Sequence, residues 1–198
     1  MQHPALTVLV NNAGVAHYMP FAELPAEKAA ELIRVKVLAP TLLTRAAVPG
    51  MLERGEGTII NAAGMIAFSG PAGPEQMPRR AVYTGTLAFS VAWTQQLHAE
   101  LAEQGIRVQV VCPGVVATEF HARQGMDLNA VARMSAQDVV TASLRASNSA
   151  RSCARPASNG TTCCKRSSTL TSPPSGAQSP ELARRYRTPT KTPPRLAR

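Results

Sequence analysis

Three short apolar runs constrain this chain more than any other feature. Ala5-Leu-Thr-Val-Leu-Val10, Gly57-Thr-Ile-Ile-Asn61 and Arg107-Val-Gln-Val-Val-Cys112 are rich in β-branched and aliphatic residues. The first and last end in turn formers, Asn11-Asn-Ala-Gly14 and Pro113-Gly114. Continuous apolar strands of this length are the pattern of a parallel sheet buried on both faces. Parallel strands need long crossovers, and the intervening stretches carry helical periodicity. From Pro25 to about Met51 the residues Ala29, Leu32, Ile33, Val37, Leu42 and Leu43 recur at helical spacing, with Pro40 expected to kink the helix. Ala81 to about Glu103 carries Leu87, Val91, Trp93, Leu97 and Leu101. Residues 64–80 read as a long Pro- and Gly-bearing loop. A further helix starts near Met134, with Ser135 as its cap and Asp138 three residues on. Strands and helices in alternation predict a doubly wound α/β domain.

Charge divides the chain. The formal net charge of +9 suggests a nucleic-acid binder until it is located. Residues 1–144 carry a net of −1, and residues 145–198 carry +10, with Glu181 as the one acid. The expected organisation is therefore a domain over residues 1–146 and a basic Ser/Pro/Arg-rich tail over 147–198 with no regular structure. Tyr186 is the tail's only aromatic, which leaves little for base stacking and argues against a nucleic-acid partner. Cys153, Cys163 and Cys164 lie in the tail and Cys112 in the domain, with no Cys-x-x-Cys pair, so no metal role is assigned. No run of 18 apolar residues and no secretory signal stands out. The expected setting is cytoplasmic, without a membrane span.

Five segments, in order, carry a family resemblance: Asn11-Asn-Ala-Gly14, Val35-Lys-Val-Leu-Ala-Pro40, Gly57-Thr-Ile-Ile-Asn61, Ala81-Val-Tyr83 and Gly105 through Thr118. Together the chain over roughly residues 5–145 resembles the short-chain dehydrogenase/reductase family. That resemblance implies a Rossmann-type sheet, NAD or NADP as cofactor, a small carbonyl or alcohol substrate and a homo-oligomer. It also implies an incomplete sheet. Nothing before Asn11 matches the Gly-rich turn that holds the cofactor pyrophosphate, and the expectation is that about 80 residues of family sequence have no counterpart here. Weak cofactor binding by the chain as written is expected on that ground, and poor solubility from an uncovered sheet edge.

The resemblance assigns the proton donor to Tyr83, whose alternative is an ordinary core or surface aromatic. Family members place a Lys four residues later, on the same helix face, to lower the phenol pKa. Here that position is Leu87. Gly64 stands at the serine position and Lys36 at that of the relay asparagine. Two replacements are expected. Ser69 supplies the missing hydroxyl, or is a solvated loop serine. Lys36 approaches Tyr83 and supplies the missing charge, or reaches out to solvent from a packed helix. Arg79 and Arg80 are expected to face solvent. Cofactor contacts carry over to Asn12, Ala13 and Gly14, and to Pro113, Gly114, Val115 and Thr118. The alternative is that Gly14 and Gly114 only permit tight turns and that Pro113 only stops a strand. Residues 119–134 correspond to the variable substrate loop, where His121 is expected to be exposed rather than catalytic. A non-catalytic fragment that binds neither cofactor nor substrate is the alternative to an enzyme.

The tail reads differently in a shifted frame. A TCN serine codon, joined to the base before it, always encodes Phe, Leu, Ile or Val. The positions of Cys164, Ser168, Ser172 and Ser175 then become apolar at intervals of four, four and three, an amphipathic helix. The tail's composition is thus explained without any partner.

Overall fold

The computed structural model describes residues 6–70, 79–126 and 132–147, and the backbone alone at 153–154, 156–157 and 160–161. All lie within one compact unit, Met1–Cys164; the second, Lys165–Arg198, is outside the described residues, and most of the tail expectation with it.

The three apolar runs form the strands predicted for them. β1 (Val8–Asn11), β2 (Gly57–Ala62) and β3 (Ile106–Val111) lie side by side and parallel, with Val8 opposite Thr58 and Gly57 opposite Ile106. β1 is followed by α1 (Ala26–Ile33), a π-helical turn (Arg34–Leu38) and α2 (Ala39–Arg54). The π turn replaces the expected simple kink. Pro40 has no N–H to give the carbonyl of Lys36, four residues back, and the ladder widens there. The Ser90 hydroxyl, 3.1 Å from the Thr86 carbonyl, also lies 3.5 Å from that freed carbonyl, and the Thr41 hydroxyl donates to the Val37 carbonyl at 2.7 Å. α2 ends at Gly55, whose φ of 69° closes the helix in the left-handed conformation.

α3 (Ala81–Leu101) connects β2 to β3. A short α4 (Phe120–Arg123) follows β3, and α5 (Ala136–Ser147) begins where the capping pattern placed it, with the Asp138 N–H donating to the Ser135 hydroxyl oxygen at 3.0 Å.

The sheet has two unlike faces. Ile59, Ile106 and Val108 point one way and meet Ala47 and Met51 of α2 and Leu97 and Leu101 of α3. The same face carries a chain of buried polar groups. The Asn11 amide donates to Thr44 at 3.2 Å and to the Asn61 carbonyl oxygen at 2.8 Å; the Asn61 amide donates to Thr94 at 2.8 Å. These bonds satisfy the two asparagines that end β1 and β2. On the opposite face, Gln109 donates to the carbonyl and hydroxyl of Ser143, so α5 covers β3. β1 is left bare there, with Val8 51% and Val10 55% exposed. Helices on both faces make this the doubly wound arrangement that was expected, incomplete over β1.

Two findings differ from the sequence expectations. Cys153–Ala154, assigned to a tail without regular structure, forms β4 beside β3, pairing Val110 with Cys153; Pro156–Ala157 and Gly160–Thr161 pair as a short β5–β6 hairpin. The outer edge of β3 offers unpaired backbone groups, and pairing with them needs no particular side chain. The continuous stretch Ala26–Arg54 is long and apolar enough, by length and composition, to cross a membrane. Its buried side packs through Leu32, Ala47 and Met51, and the core helix of a folded domain passes the same test.

Candidate active site

Parallel sheets bind ligands beyond the carboxyl ends of their strands, and the site residues gather there. Tyr83, in the first turn of α3, is buried in a cluster with Ala16 from the segment after β1, Leu32 of α1 and Leu87 of α3. Ala63 after β2 and Phe120 after β3 pack against the same cluster. The three segments that leave the strands therefore converge on Tyr83.

The neighbour of Tyr83 was not foreseen. Tyr18 stands against it edge to face, ring centroids 5.5 Å apart at 66°, and the two phenols share a side-chain hydrogen bond. Burial pushes the Tyr83 phenol well above its ordinary range, and Tyr18 adds to the shift through charge and the hydrogen bond. Burial also raises Tyr18, against the lowering effects of that hydrogen bond and of the Arg80 charge. A tyrosine in a post-strand loop carries a polar tip that needs a partner when buried, the one clue the sequence offered.

Arg80 corrects an expectation. It was assigned to solvent and is 8% exposed, with Nη2 3.3 Å from the Ser69 hydroxyl oxygen. It stands immediately before α3, so the start of that helix carries it inward with Tyr83. Ser69 donates to the Ile66 carbonyl at 2.8 Å. Ser69 is thus tied to Arg80, and Arg80 acts on Tyr18, which holds Tyr83.

Lys36 is the second correction in part. It does not reach out to solvent, being 7% exposed. Burial pulls its ammonium down to about 8. Its side chain lies under Gly14, where an added Cβ would come within 2.6 Å of Nζ, 3.0 Å of Cε and 3.7 Å of the Phe120 ring. The expected lowering of Tyr83 is absent, since the phenol shifts upward under burial and Tyr18. Leu87, 1% exposed, fills the position where the family pattern has its lysine. A Cβ on Gly64, at the serine position, would touch Leu87 Cδ1 at 3.4 Å.

The proposed cofactor contacts frame this cluster. Asn12 and Ala13 are exposed at the end of β1, with Gly14 half-buried behind them. Pro113, Gly114, Val115 and Thr118 follow β3. Their loop is pinned by Met65 N–H donating to the Pro113 carbonyl and Met134 N–H donating to the Val115 carbonyl, both 2.8 Å. The Thr118 hydroxyl oxygen accepts from the Phe120 N–H at 3.3 Å. Gly114 and Thr118 are exposed, so both loops can be reached from solvent. His121 lies in α4, and burial lowers its pKa, with Arg133 adding to the effect.

Comparison with known proteins gives the same reading. The inactive 2-(S)-hydroxypropyl-CoM dehydrogenase 2 of Xanthobacter autotrophicus is 40% identical over 119 residues, which are 60% of this chain and 49% of that protein. The very-long-chain 3-oxoacyl-CoA reductase of Mus musculus is 38% identical over 117 residues, 57% of this chain and 36% of that one. Among solved structures, the short-chain dehydrogenase from Sphingobium yanoikuyae in complex with NADPH superposes with a TM-score of 0.70 at 31% identity, covering 78% of this chain and 58% of that one. The chain thus spans about half the length, or less, of these curated relatives. The family model described as short chain dehydrogenase matches residues 1–129. The converging strand ends and that match agree: the chain belongs to the short-chain dehydrogenase family.

Proposed function

We propose that this chain forms the nicotinamide- and substrate-binding part of an NAD- or NADP-dependent oxidoreductase acting on a small carbonyl or alcohol. One observation carries the reading: a buried, hydrogen-bonded Tyr83 lies where the segments after β1, β2 and β3 meet. The residues present fit the cofactor's nicotinamide half. Asn12, Ala13, Gly114 and Thr118 expose two loops across that meeting point, and Lys36 Nζ lies 2.6 Å from where a Cβ on Gly14 would stand. When bound, the cofactor supplies or accepts the hydride. Tyr83 holds the proton exchanged with the substrate oxygen, and Ser69, braced by Arg80, supplies the hydroxyl that orients that oxygen. Lys36 is the site's buried cation. With Leu87 and Gly64 in place of the family's lysine and serine, this is an altered site. The reading also carries a cytoplasmic setting and a homo-oligomer that covers the exposed Ile33, Leu38 and Leu42 of the long helix.

A second reading, a protein that binds nicotinamide nucleotide without turnover, is favoured by the upward shift of Tyr83, which makes it a poorer proton donor. The two separate in one experiment. NADH and NADPH are each offered with a panel of ketones and 3-oxoacyl thioesters, and both cofactor oxidation and nucleotide binding are followed. Oxidation coupled to carbonyl reduction supports the enzyme. Binding without oxidation supports the second reading, and neither result would sink both.

A further inference from the structure

Tyr83 creates a charge problem when it acts. Giving its proton to a substrate oxygen leaves a phenolate in a buried site, and a buried anion without a compensating charge is costly. Leu87, 1% exposed, fills the position on α3 where a cation would stand, and Lys36 lies under Gly14 without lowering Tyr83. Among the described residues the one cation that acts on either phenol is Arg80, and it acts on Tyr18. Its place is fixed. Arg80 immediately precedes α3, is 8% exposed, and holds Nη2 3.3 Å from the Ser69 hydroxyl oxygen. The Thr84 N–H donates to the Arg80 carbonyl at 2.9 Å, so Arg80 and Tyr83 share the first turn of the helix. Tyr18 completes the row from the segment after β1, in ring contact and hydrogen-bonded with Tyr83. The two phenols are not equivalent. Tyr83 is 7% exposed, whereas Tyr18 is half-buried. Burial raises both, and Arg80 and the shared hydrogen bond oppose that rise at Tyr18 alone. The member with the cation is therefore also the member with the readier path to water.

We propose that Tyr18 and Arg80 are positioning residues that recharge the proton donor: as Tyr83 protonates the substrate oxygen, Tyr18 passes its own proton to Tyr83, and the Arg80 guanidinium balances the phenolate left on Tyr18. The inference rests on the oxidoreductase reading above and deepens it. The step balances. The carbonyl carbon takes a hydride from the reduced nicotinamide, and the carbonyl oxygen takes the Tyr83 proton. The Tyr83 oxygen takes the Tyr18 proton, and water returns one to Tyr18. A phenol both donates and accepts, so the pair can run the exchange in either direction. The anion is thereby moved from a buried phenol to a half-buried one that feels a cation. Arg80 does through a second phenol what a helix lysine would do by direct contact. The ionisable groups acting on the pair are the two phenols and Arg80; His17, next to Tyr18 in the chain, is bonded to Glu31 at 2.8 Å.

The test uses the full chain with NADH or NADPH and the best substrate among ketones and 3-oxoacyl thioesters. Turnover is measured in mixtures of light and heavy water. In the unaltered chain kcat should curve with deuterium fraction, as for two protons in flight. Tyr18→Phe, which keeps the ring contact and removes only the hydroxyl, should make that dependence linear. It should also lower kcat roughly 10–100-fold with little change in KM, the scale of a lost hydrogen bond to a charged group. Arg80→Met should slow turnover similarly, and Arg80→Lys should recover part of it. Carbon NMR of isotope-labelled tyrosine follows the phenols without cofactor, in the alkaline range where circular dichroism is constant. Tyr18 should ionise before Tyr83, and Arg80→Met should raise the Tyr18 midpoint by about one pH unit. Reduction with a linear dependence in the unaltered chain, or with kcat unchanged in Tyr18→Phe, overturns the relay and leaves the oxidoreductase reading. Tyr83 ionising first, or a Tyr18 midpoint indifferent to Arg80→Met, overturns the relay even where the variants turn over slowly. No reduction of any carbonyl, with Tyr18 still ionising first, overturns the oxidoreductase reading and the relay with it.

Discussion

The two faces of the sheet carry similar residues and meet different fates. Ile59 and Val108 face α2 and α3 and are shut off from water. Val8 and Val10 face the other way on β1 and are half exposed. An aliphatic run in sequence looks the same in both cases. What differs is whether a helix lies over it, and α5 covers only the β3 side. The closed face anchors the asparagine–threonine chain and α3, which bears Tyr83. The difference teaches that the end of the site bearing Tyr83 is supported by a finished core, while the loop at Asn12–Gly14, proposed to meet the cofactor, leaves from the bare strand.

The largest expected effect tests the closed side. In a catalytically competent protein, Tyr83→Phe should cut carbonyl reduction by roughly 10²–10⁴-fold, the usual contribution of a positioned proton donor. Single-turnover rates read it, and an unchanged rate would remove Tyr83 from the chemistry. Next comes the contrast itself. Ile59→Ala should cost about 2–5 kcal/mol in urea unfolding, as for other buried aliphatic truncations. Val10→Ala should cost under about 1 kcal/mol. Equal losses would mean that the open face is covered in solution.

Lys36 gives a pH test of intermediate size. Its folded pKa, about 8, lies below the ordinary lysine value of 10.5. Between those values the unfolded chain binds a proton that the folded chain does not, so stability rises with pH across that window. Below about pH 8 the full penalty of the buried charge remains. The gain from pH 8 to 9.5 should be about 1–2 kcal/mol. Lys36→Met should abolish the slope and leave the protein more stable at neutral pH. Above pH 10 the trend should reverse, because the raised phenols of Tyr18 and Tyr83 hold protons that the unfolded chain releases. A flat profile from pH 8 to 9.5 would place the ammonium in water. The smallest effect lies on the cover of the second face. Ser135→Ala removes the α5 cap and should cost about 1 kcal/mol in thermal unfolding, with a loss near zero showing the cap to be solvent-replaced.

Periodicity and turn chemistry made most of the scaffold legible. The β-branched runs became β1, β2 and β3, the helical spacing marked the long helices, and Ser135 capped α5. Those features depend on residues near one another in the chain. The site was less legible because its contacts are long-range. Tyr18 and Tyr83 are far apart in sequence, and nothing local signals that they meet. Arg80 was misjudged because charge argues for solvent, whereas its place at the start of α3 carries it inward. Lys36 was singled out by its position in the family pattern, but its neighbour is Gly14, which only the packing reveals. Pro40 announced a disturbance without disclosing its form, since a kink and a π turn begin from the same missing N–H.

The π turn also works as a phase corrector. The buried positions along the long helix are Leu32, Lys36, Thr44, Ala47 and Met51, at intervals of four, eight, three and four. In plain α-helix an interval of eight advances about 800°, which swings the second half of the helix roughly 80° off its seam. The widened turn absorbs one extra residue, which restores an effective interval of seven, so a single seam meets the sheet from end to end. The chain therefore has one place where its length can change by a residue at little cost. Deleting a residue between Arg34 and Leu38 could heal the turn into plain α-helix with the downstream seam still aimed at the core, whereas the same deletion in α2 would turn Ala47 or Met51 outward.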